Sequence, residues 1–492
     1  MQSSKNEKGV AGFLKSLLGF SIPTWVNFVI STMAAAILTR IFSPDDYGYI
    51  TIFTATTEFG MSLLCLGMDS GCLRFYHNPP KGEDTKIFLF KTIVSCCLLV
   101  VAVCFPVCLF CPRWFANTVF GMENAVLTIV LAINIFSSTI LRFFGISYRM
   151  KMKTKEYGIQ LILTNTIRKL GYILAVFLSP DAITAICVQV VLLLVTVIVY
   201  GFVQRRDIFP GTGEIKGIIV KGKFYEGYWE FFKFSLFNAP NYLMQYANNL
   251  ACLQILRVIC GPFATGIYST TSYFSSALAM MRGGFGTFWA PYMYQNYKEK
   301  QETIKFVHSV WMVFSSICFL ALLLARDLIY LLVGAEYAAG KEIVSFVLLG
   351  SLLQACMETT VYGIYIQKKA HVGMILHAVQ IVLCISLSWA LAYPLDILGV
   401  ALGNIISNII YFALSSYYGQ KYYSSIHKAW RTVYTVVALV IEAAAAYCLS
   451  YGMSAVVCTV LTASICLVYG PECNKIIQYI HAFLQKTLHK DA

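Results

Sequence analysis

The sequence predicts an all-α, polytopic membrane protein of about fourteen transmembrane helices, built as two six-helix lobes followed by two extra C-terminal helices. Three observations support this fold class. Of the 492 residues, 58% are apolar and 12% are charged, about half the charged fraction of a soluble domain. The apolar residues form runs close to the ~20 residues that cross a bilayer as a helix. Lys and Arg are abundant in every second connection and scarce in the others, as expected of loops on opposite membrane faces.

The apolar runs define the elements in chain order. Several of them end at proline, as at Ser43-Pro44, Ser179-Pro180 and Pro394, because proline interrupts a helix. The predicted helices one to fourteen cover residues 17–38, 47–67, 87–110, 125–147, 157–178, 182–203, 232–256, 265–289, 304–324, 343–366, 372–393, 398–418, 433–449 and 454–469.

Composition excludes several classes of protein. A mean hydropathy of +0.69 argues against a soluble globular protein, a disordered chain and a secreted disulfide scaffold. The 17 cysteines lie almost all within apolar runs, where thiols act as small hydrophobic groups. The CxxC pair Cys108 and Cys111 has no second pair or histidine beside it, so we expect no metal and no cofactor.

The positive charges predict the orientation. With the N-terminus in the cytoplasm and alternating helices, 27 of the 37 Lys and Arg residues lie inside, five lie outside and five fall within spans. This bias places both termini in the cytoplasm and predicts a multi-pass protein of the cytoplasmic (inner) membrane. It also predicts that Lys81, Lys216 and Lys369 face the cytoplasm. The net charge of +13 is thereby explained by topology, and no nucleic acid partner is expected.

An internal repeat predicts the lobes. Pro44 and Gly48 recur as Pro262 and Gly266, a PxxxG pair at an offset of 218 residues. A six-helix repeat is even-numbered, so the two halves are expected to be parallel repeats. The predicted boundaries are residues 1–203 for the N-terminal lobe, 204–230 for a basic cytoplasmic linker, 231–431 for the C-terminal lobe, and 432–492 for the two extra helices and the tail.

Four of the five cations within the predicted spans are candidates for an internal site: Arg142, Arg168, Lys169 and Arg282. A cation at mid-membrane costs about 2.5–3.5 kcal/mol on insertion scales, so these side chains predict an internal surface that receives an anion. Arg142 and Arg282 lie closer to the cytoplasmic ends of their helices, where the alternative is that they reach the membrane surface.

Helix seven carries amides at spacings of three, four and three residues: Asn238, Asn241, Gln245 and Asn248. This spacing places them on one helix face. Lipid does not satisfy amides, so the face either lines a cavity or forms hydrogen bonds to other helices. Pro240 opens the backbone at the same place and favours the cavity.

Acids are rarer within the spans. Glu58 and Glu358 each lie on a polar helix stripe, one in each predicted lobe, and Glu442 lies in the alanine-rich helix thirteen. Three roles stay open for Glu58 and Glu358: pairing with a buried cation, coupling to H⁺ or Na⁺, or a neutral hydrogen-bonded acid.

Catalytic motifs are missing from the sequence. It contains no HExxH, P-loop or nucleophile elbow, and the predicted outside loops are short. We therefore expect no catalytic residues and a protein that is not an enzyme, which disfavours a membrane polymerase or glycosyltransferase.

Six segments resemble the Wzx-type flippases of lipid-linked oligosaccharides, in the polysaccharide biosynthesis and export group of the multidrug/oligosaccharidyl-lipid/polysaccharide exporter superfamily. They occur in the family's order and topology. The segments are LTRIFSPDDYGYITIF (38–53) with LGMDSGCLRFYH (66–77), YRMKMKTKEYG (148–158), FWAPYMY (288–294), LIYLLVGAEYAAGKEIVSFVLLGSLL (328–353), GIYIQKKAH (363–371) and ILGVALGNIIS (397–407).

The resemblance implies translocation of undecaprenyl-diphosphate-linked oligosaccharide, as in O-antigen assembly, by alternating access. The implied partners are the polyprenyl-diphosphate-linked sugar, membrane lipid, H⁺ or Na⁺ as coupling ion, and other polysaccharide-assembly proteins. Two alternatives stay open: a cation-coupled exporter of small molecules from the same superfamily, and a membrane polymerase or glycosyltransferase. The net basic charge within the spans favours the flippase, because exporters of cationic drugs need acidic cavities.

Overall fold

A computed structural model describes residues 23, 25–77, 79–80, 83–210, 228–475 and 478. Within these residues the regular structure is helical, without a strand. The chain divides into two compact units, Met1–Ser269 and Thr270–Ala492. Lys81, Lys216 and most of the predicted linker lie outside the described residues.

The first unit contains ten complete helices in the part that the structure describes. They are α1 (Trp25–Ile41), α2 (Pro44–Cys65), α3 (Met68–Phe75), α4 (Thr85–Phe110), α5 (Pro112–Phe120), α6 (Ala125–Met150), α7 (Thr154–Leu174), α8 (Ala182–Val203), α9 (Arg205–Ile208) and α10 (Tyr228–Ile255). The next helix, α11 (Gly261–Asn296), begins in this unit and ends in the second.

The second unit is also helical in its described part. Its helices are α12 (Gln301–Leu324), α13 (Arg326–Tyr330), α14 (Gly340–Met357), α15 (Tyr362–Ile366), α16 (Ala370–Tyr422), α17 (Ala429–Cys448) and α18 (Tyr451–Val468). The backbone of α16 is broken at Asp396, where φ is 52° and ψ is -132°, so α16 consists of two helical parts. Each unit has its own apolar core, which includes Phe88, Phe143 and Phe231 in the first and Leu349 and Leu439 in the second.

The described part of each of the fourteen predicted segments lies mostly on helical residues. Nine described stretches are long and apolar enough to cross a membrane, or ten when the bent pair α2 and α3 counts as one. Two of these stretches, Tyr228–Asn296 and His371–Tyr422, each cover two predicted helices. The polytopic α-helical fold is therefore confirmed. The count of fourteen, the lobe boundaries and the orientation stay predictions.

Local sequence explains the ends of α2. Ser43 caps its start by accepting a hydrogen bond from the Asp46 backbone N–H at 3.2 Å, as N-cap serines do. At its other end Leu66 and Gly67 adopt positive φ angles of 46° and 71°. The chain consequently bends by 55° into α3.

Predicted helix ten is wrong as a single helix. The α-helix ends at Met357 and resumes at Tyr362. Between them Thr359 and Thr360 donate side-chain hydrogen bonds to the carbonyls of Cys356 and Met357, each at 3.2 Å. These local bonds compete with helical backbone bonds, and they place Glu358 at the end of α14 rather than within a continuous helix.

The repeated PxxxG segments pack against each other within the first unit. A Cβ atom on Gly48 would lie 2.2 Å from the Pro262 carbonyl oxygen, and one on Gly266 would lie 2.0 Å from the Pro44 carbonyl oxygen. One turn further on, the Ser269 hydroxyl donates to Thr51 at 3.0 Å. The repeat found in the sequence thus corresponds to a reciprocal crossing of the starts of α2 and α11, which we call the PxxxG crossing.

Candidate functional site

A cavity of about 460 Å³ lies in the first unit among α1, α2, α3, α6 and α7. Its lining combines leucines and a methionine with a larger set of polar groups. The charged and amide side chains in the lining are Asn27, Asp69, Arg142, Arg149, Gln160, Asn165 and Arg168. We call this the arginine cavity.

Most of one wall is a single face of α7. Its cavity-lining residues are Tyr157, Gln160, Leu161, Thr164, Asn165 and Arg168. These positions follow the three- and four-residue spacing of a helix face. The spacing is visible in the sequence, so Gln160 and Thr164 could have been predicted together with Arg168.

Part of the Arg168 guanidinium group has no hydrogen-bond partner among the described residues. One guanidinium nitrogen donates to the Ser138 hydroxyl at 2.8 Å, whereas Nε is buried without a partner in the described residues. The hydroxyl of Tyr172 and the carboxyl of Glu58 interact with it electrostatically. Arg168 therefore keeps hydrogen-bonding capacity for a further anion.

Arg142 is held by an ion pair. Its Nη2 contacts the Asp69 carboxylate, and the Tyr246 hydroxyl of α10 also interacts with it. The side chain of Arg142 is still 29% exposed. Asp69 was missed at the sequence level, because nothing in the primary structure shows that the bend between α2 and α3 turns it toward α6.

The cavity-lining amides of α7 form hydrogen bonds to neighbouring helices. Asn165 donates to the Asn27 side chain at 3.2 Å and to the Ser31 hydroxyl at 3.1 Å. Gln160 donates to the Leu141 carbonyl at 3.0 Å, and its own Oε1 is buried without a partner among the described groups.

The other predicted residues lie elsewhere. Lys169 is outside the cavity lining but interacts electrostatically with Glu58, as Arg168 and Arg142 do. On α10, Asn238 donates to the Phe234 carbonyl of its own helix at 2.9 Å, Gln245 is exposed and Asn248 Oδ1 is buried without a partner in the described part of the chain. The side chain of Asn241 is outside the described residues.

Arg282 belongs to a separate polar network in the second unit. It donates to Gln354 Oε1 at 2.7 Å, and it interacts electrostatically with Glu358, which accepts from the Tyr362 hydroxyl at 3.1 Å. Asn408 extends the network by donating to Asn404 Oδ1 at 2.8 Å. The asparagines are spaced four residues apart on α16, a signal that sequence reasoning overlooked.

The arginine cavity has a net positive character. Three arginines line it against a single aspartate, and one of the three, Arg149, is exposed at the end of α6. Arginine forms paired hydrogen bonds to carboxylate and phosphate oxygens. Within the described residues no group of three His, Cys, Asp or Glu side chains could hold a metal ion.

An ion-pair cluster lies next to Arg149 outside the spans. Lys151 and Lys153 contact the Asp207 carboxylate of α9 at 2.8 and 3.2 Å. The hydrogen bond from Lys151 holds the pKa of Asp207 below its ordinary value, with a smaller contribution from Lys153. This cluster ties the loop after α6 to the segment that follows α8.

The fold and the cavity define a class, a multi-pass α-helical membrane protein with a cationic cavity. The sequence profile of polysaccharide biosynthesis proteins matches residues 37–222. This range includes every residue of the cavity lining except Asn27. The predicted resemblance is thus confirmed over this part of the chain. Among curated proteins, none matches the chain significantly in sequence.

Solved transporter structures share the fold. The chain is similar to the lipid II flippase MurJ in an inward closed conformation, with a TM-score of 0.63 and 16% identity over 94% of this chain and 99% of that one. It is also similar to an inward-facing multidrug resistance MATE family transporter of the MOP superfamily, with a TM-score of 0.54 and 12% identity over 82% and 97% of the two chains. MATE in complex with MaL6 gives a TM-score of 0.55 and 13% identity over 83% and 95%.

Proposed function

We propose that this protein is a flippase that moves undecaprenyl-diphosphate-linked oligosaccharide across the cytoplasmic membrane by alternating access, for surface polysaccharide assembly. The arginine cavity is the observation that carries the proposal. It lies in the segment matched by the polysaccharide biosynthesis profile, on a fold shared with a lipid II flippase.

The cargo has three chemical parts, and the cavity offers groups for two of them. The diphosphate carries negative charge, which Arg168 and Arg149 can take, while Arg142 has to share its charge with Asp69. The sugar hydroxyls suit amides such as Gln160 and Asn165. The polyprenyl tail needs no polar partner and can stay in lipid.

The size of the cavity agrees with a headgroup ligand. Binding cavities for small molecules are about 300–1,000 Å³, and the arginine cavity measures about 460 Å³. A diphosphate with its first sugar is of this size class. In the proposal, the rest of the oligosaccharide extends past the exposed Arg149 into water.

A small-molecule exporter is the second candidate, because MATE transporters share the fold. The charge of the residues that line the cavity distinguishes the flippase from the exporter. Three arginines against one aspartate disfavour cationic drugs and favour anions. A polymerase or glycosyltransferase is a weaker candidate, since the matched structures are named as a flippase and transporters.

The test is a flipping assay with purified protein in lipid vesicles. The cargo is a fluorescent polyprenyl-diphosphate oligosaccharide, and the readout is the fraction protected from an added membrane-impermeant quencher. A hydrogen bond to a charged group contributes about 1.5–3 kcal/mol, so Arg168→Gln should lower the initial flipping rate roughly 10- to 150-fold. Lys169→Gln, which removes a cation outside the lining, should have the smaller effect.

Arg113→Gln is the matched control, because Arg113 is an exposed arginine at the start of α5 and lies outside the arginine cavity. It should flip at the wild-type rate. If Arg168→Gln folds, reconstitutes at the wild-type level and flips equally fast, the anion-binding role is refuted. Transport of cationic dyes, but not of the lipid-linked sugar, by the wild type would favour the exporter.

A further inference from the structure

Glu442 is a fully buried acid in the last helix pair. It lies on α17, and its exposed fraction is 0%. Its neighbours in sequence and across the pair are apolar or small, among them Leu439, Ala443 and Cys458, which belong to the core of the second unit. No part of the arginine cavity includes this helix.

The carboxyl group has one hydrogen-bond donor. Thr462 of α18 donates to Oε1 at 3.0 Å, while Oε2 is buried without a partner in the described residues. No Lys, Arg or His of the described chain forms an ion pair with Glu442, and burial and Thr462 are the influences acting on its charge. A carboxylate in such surroundings would be an uncompensated charge, which is far more costly to bury than a neutral acid.

The titratable groups on the helices packed around Glu442 are engaged in other ways. Cys458 of α18 donates its thiol to the Glu442 backbone carbonyl at 3.5 Å, not to the carboxyl group. Arg326 of α13 donates to the Ala446 carbonyl and lies over the Tyr451 ring at 5.5 Å. His308 of α12 bridges the hydroxyls of Thr359 and Thr432, and Cys356 of α14 is a buried thiol.

Glu58 and Glu358, the other two acids within the predicted spans, have surroundings that differ from those of Glu442. Glu58 has Arg168, Lys169 and Arg142 as electrostatic partners. Glu358 has Arg282 as a partner and accepts a hydrogen bond from Tyr362. Nearby cations stabilise the ionised form of a carboxyl group. Of these three acids, Glu442 is the one without a cation among its electrostatic partners in the described residues.

We propose that Glu442 is a proton-binding site of the C-terminal helix pair. The proton resides on Oε2, and Thr462 donates to Oε1. Release of this proton requires water or a cation to reach Oε2, and therefore requires α17 and α18 to separate. The site does not rest on the proposed flippase function, because it involves neither the arginine cavity nor the transported lipid.

Labelling with dicyclohexylcarbodiimide tests the protonation state directly, because this apolar reagent modifies protonated carboxyl groups in apolar surroundings. The full-length protein in vesicles at neutral pH should be modified at Glu442, as located by mass spectrometry. Glu442→Gln should lose this label completely, and the exposed Glu123 should stay unmodified as an aqueous control. Failure of Glu442 to react at neutral pH, while it reacts after acidification, would overturn the proposal. Protection by Na⁺ at constant pH would also overturn it, in favour of a cation site.

Infrared spectroscopy supplies a readout that is independent of reagent access. The wild type should show a protonated-carboxyl band at neutral pH that Glu442→Gln lacks. Thr462→Val removes the hydrogen bond to Oε1 and should move this band to higher frequency. Because glutamine is neutral and still accepts from Thr462, Glu442→Gln should match the wild-type unfolding temperature below about pH 4, where the unfolded acid is also protonated. At neutral pH and above, Glu442→Gln should unfold at a higher temperature than the wild type, because only the unfolded wild type can release the proton. A marked loss of stability in Glu442→Gln at neutral pH would show that an ionised Glu442 was required.

Discussion

Adding a single methyl group to a glycine of the PxxxG crossing should push the two helices apart. In Gly266→Ala the added Cβ would lie 2.0 Å from the Pro44 carbonyl oxygen, 2.8 Å from the carbonyl carbon and 3.1 Å from the Pro44 Cα. All three are backbone atoms at the start of α2, so no side-chain rotation relieves the overlap. Gly48→Ala creates the same conflict with Pro262, at 2.2 Å.

The magnitude follows from the geometry. Carbon atoms pack at about 3.5–4.0 Å, so a contact of 2.0 Å must open by at least about 1 Å. Overpacking of this kind costs about 1–3 kcal/mol. Since about 1.4 kcal/mol changes an equilibrium tenfold, the crossed arrangement should become roughly 5- to 150-fold less populated relative to a separated one. The two substitutions should not be additive, because the first already separates the helices.

The assay uses the contact between Thr51 and Ser269, whose hydroxyl oxygens are 3.0 Å apart. Cysteines at these two positions, in a protein with its other cysteines replaced, should form a disulfide efficiently in an otherwise wild-type chain. Gly266→Ala should slow disulfide formation, by up to the factor given above. Gly201→Ala is the matched control, because a Cβ on Gly201 would meet no atom within 4 Å.

Two results would refute this reasoning. Unchanged disulfide formation in Gly266→Ala would mean that α2 and α11 do not cross at the repeated glycines. Equal loss in Gly201→Ala would mean that any helical glycine substitution disturbs the cross-link, and that the close approach is not the cause.

Three further predictions concern other parts of the chain. Because Lys151 holds the pKa of Asp207 below its ordinary value, the ion pair should persist as the pH falls through the usual aspartate range and be lost only below that range. Hydrogen exchange of the backbone amides of peptide 149–155 should accelerate at the pH where the ion pair is lost. In Asp207→Asn the same peptide should exchange fast at every pH. A cysteine replacing Lys369 should resist impermeant reagents in intact cells, and labelling from outside would overturn the predicted topology. If Glu358 is a coupling site, Glu358→Gln should bind cargo but lose gradient-driven transport in vesicles. If Glu358 is only a structural partner of Arg282, the same substitution should mainly lower stability. Wild-type transport that needs no gradient would exclude the coupling role.

Apolar run length determined the positions of the helices. The ~20-residue requirement of the bilayer and the proline-rich ends place most elements within a few residues, and predicted helix six coincides with Ala182–Val203. Side-chain competition for backbone hydrogen bonds is harder to predict. The threonines after Met357 end α14 early, although the apolar run continues through them.

Sequence patterns also identify which polar residues are costly in lipid, but not which of them meet. A helical period assigns side chains to one face of one helix and says nothing about the helix opposite. Only the tertiary structure places Arg142 and Arg168 in one cavity with Asp69 and Arg149, and Arg282 in a different unit. It also decided that, among the described residues, Glu442 has a threonine and no cation beside it. The physical reason is that an ion pair or an unpaired acid depends on distances across helices, which tertiary packing sets.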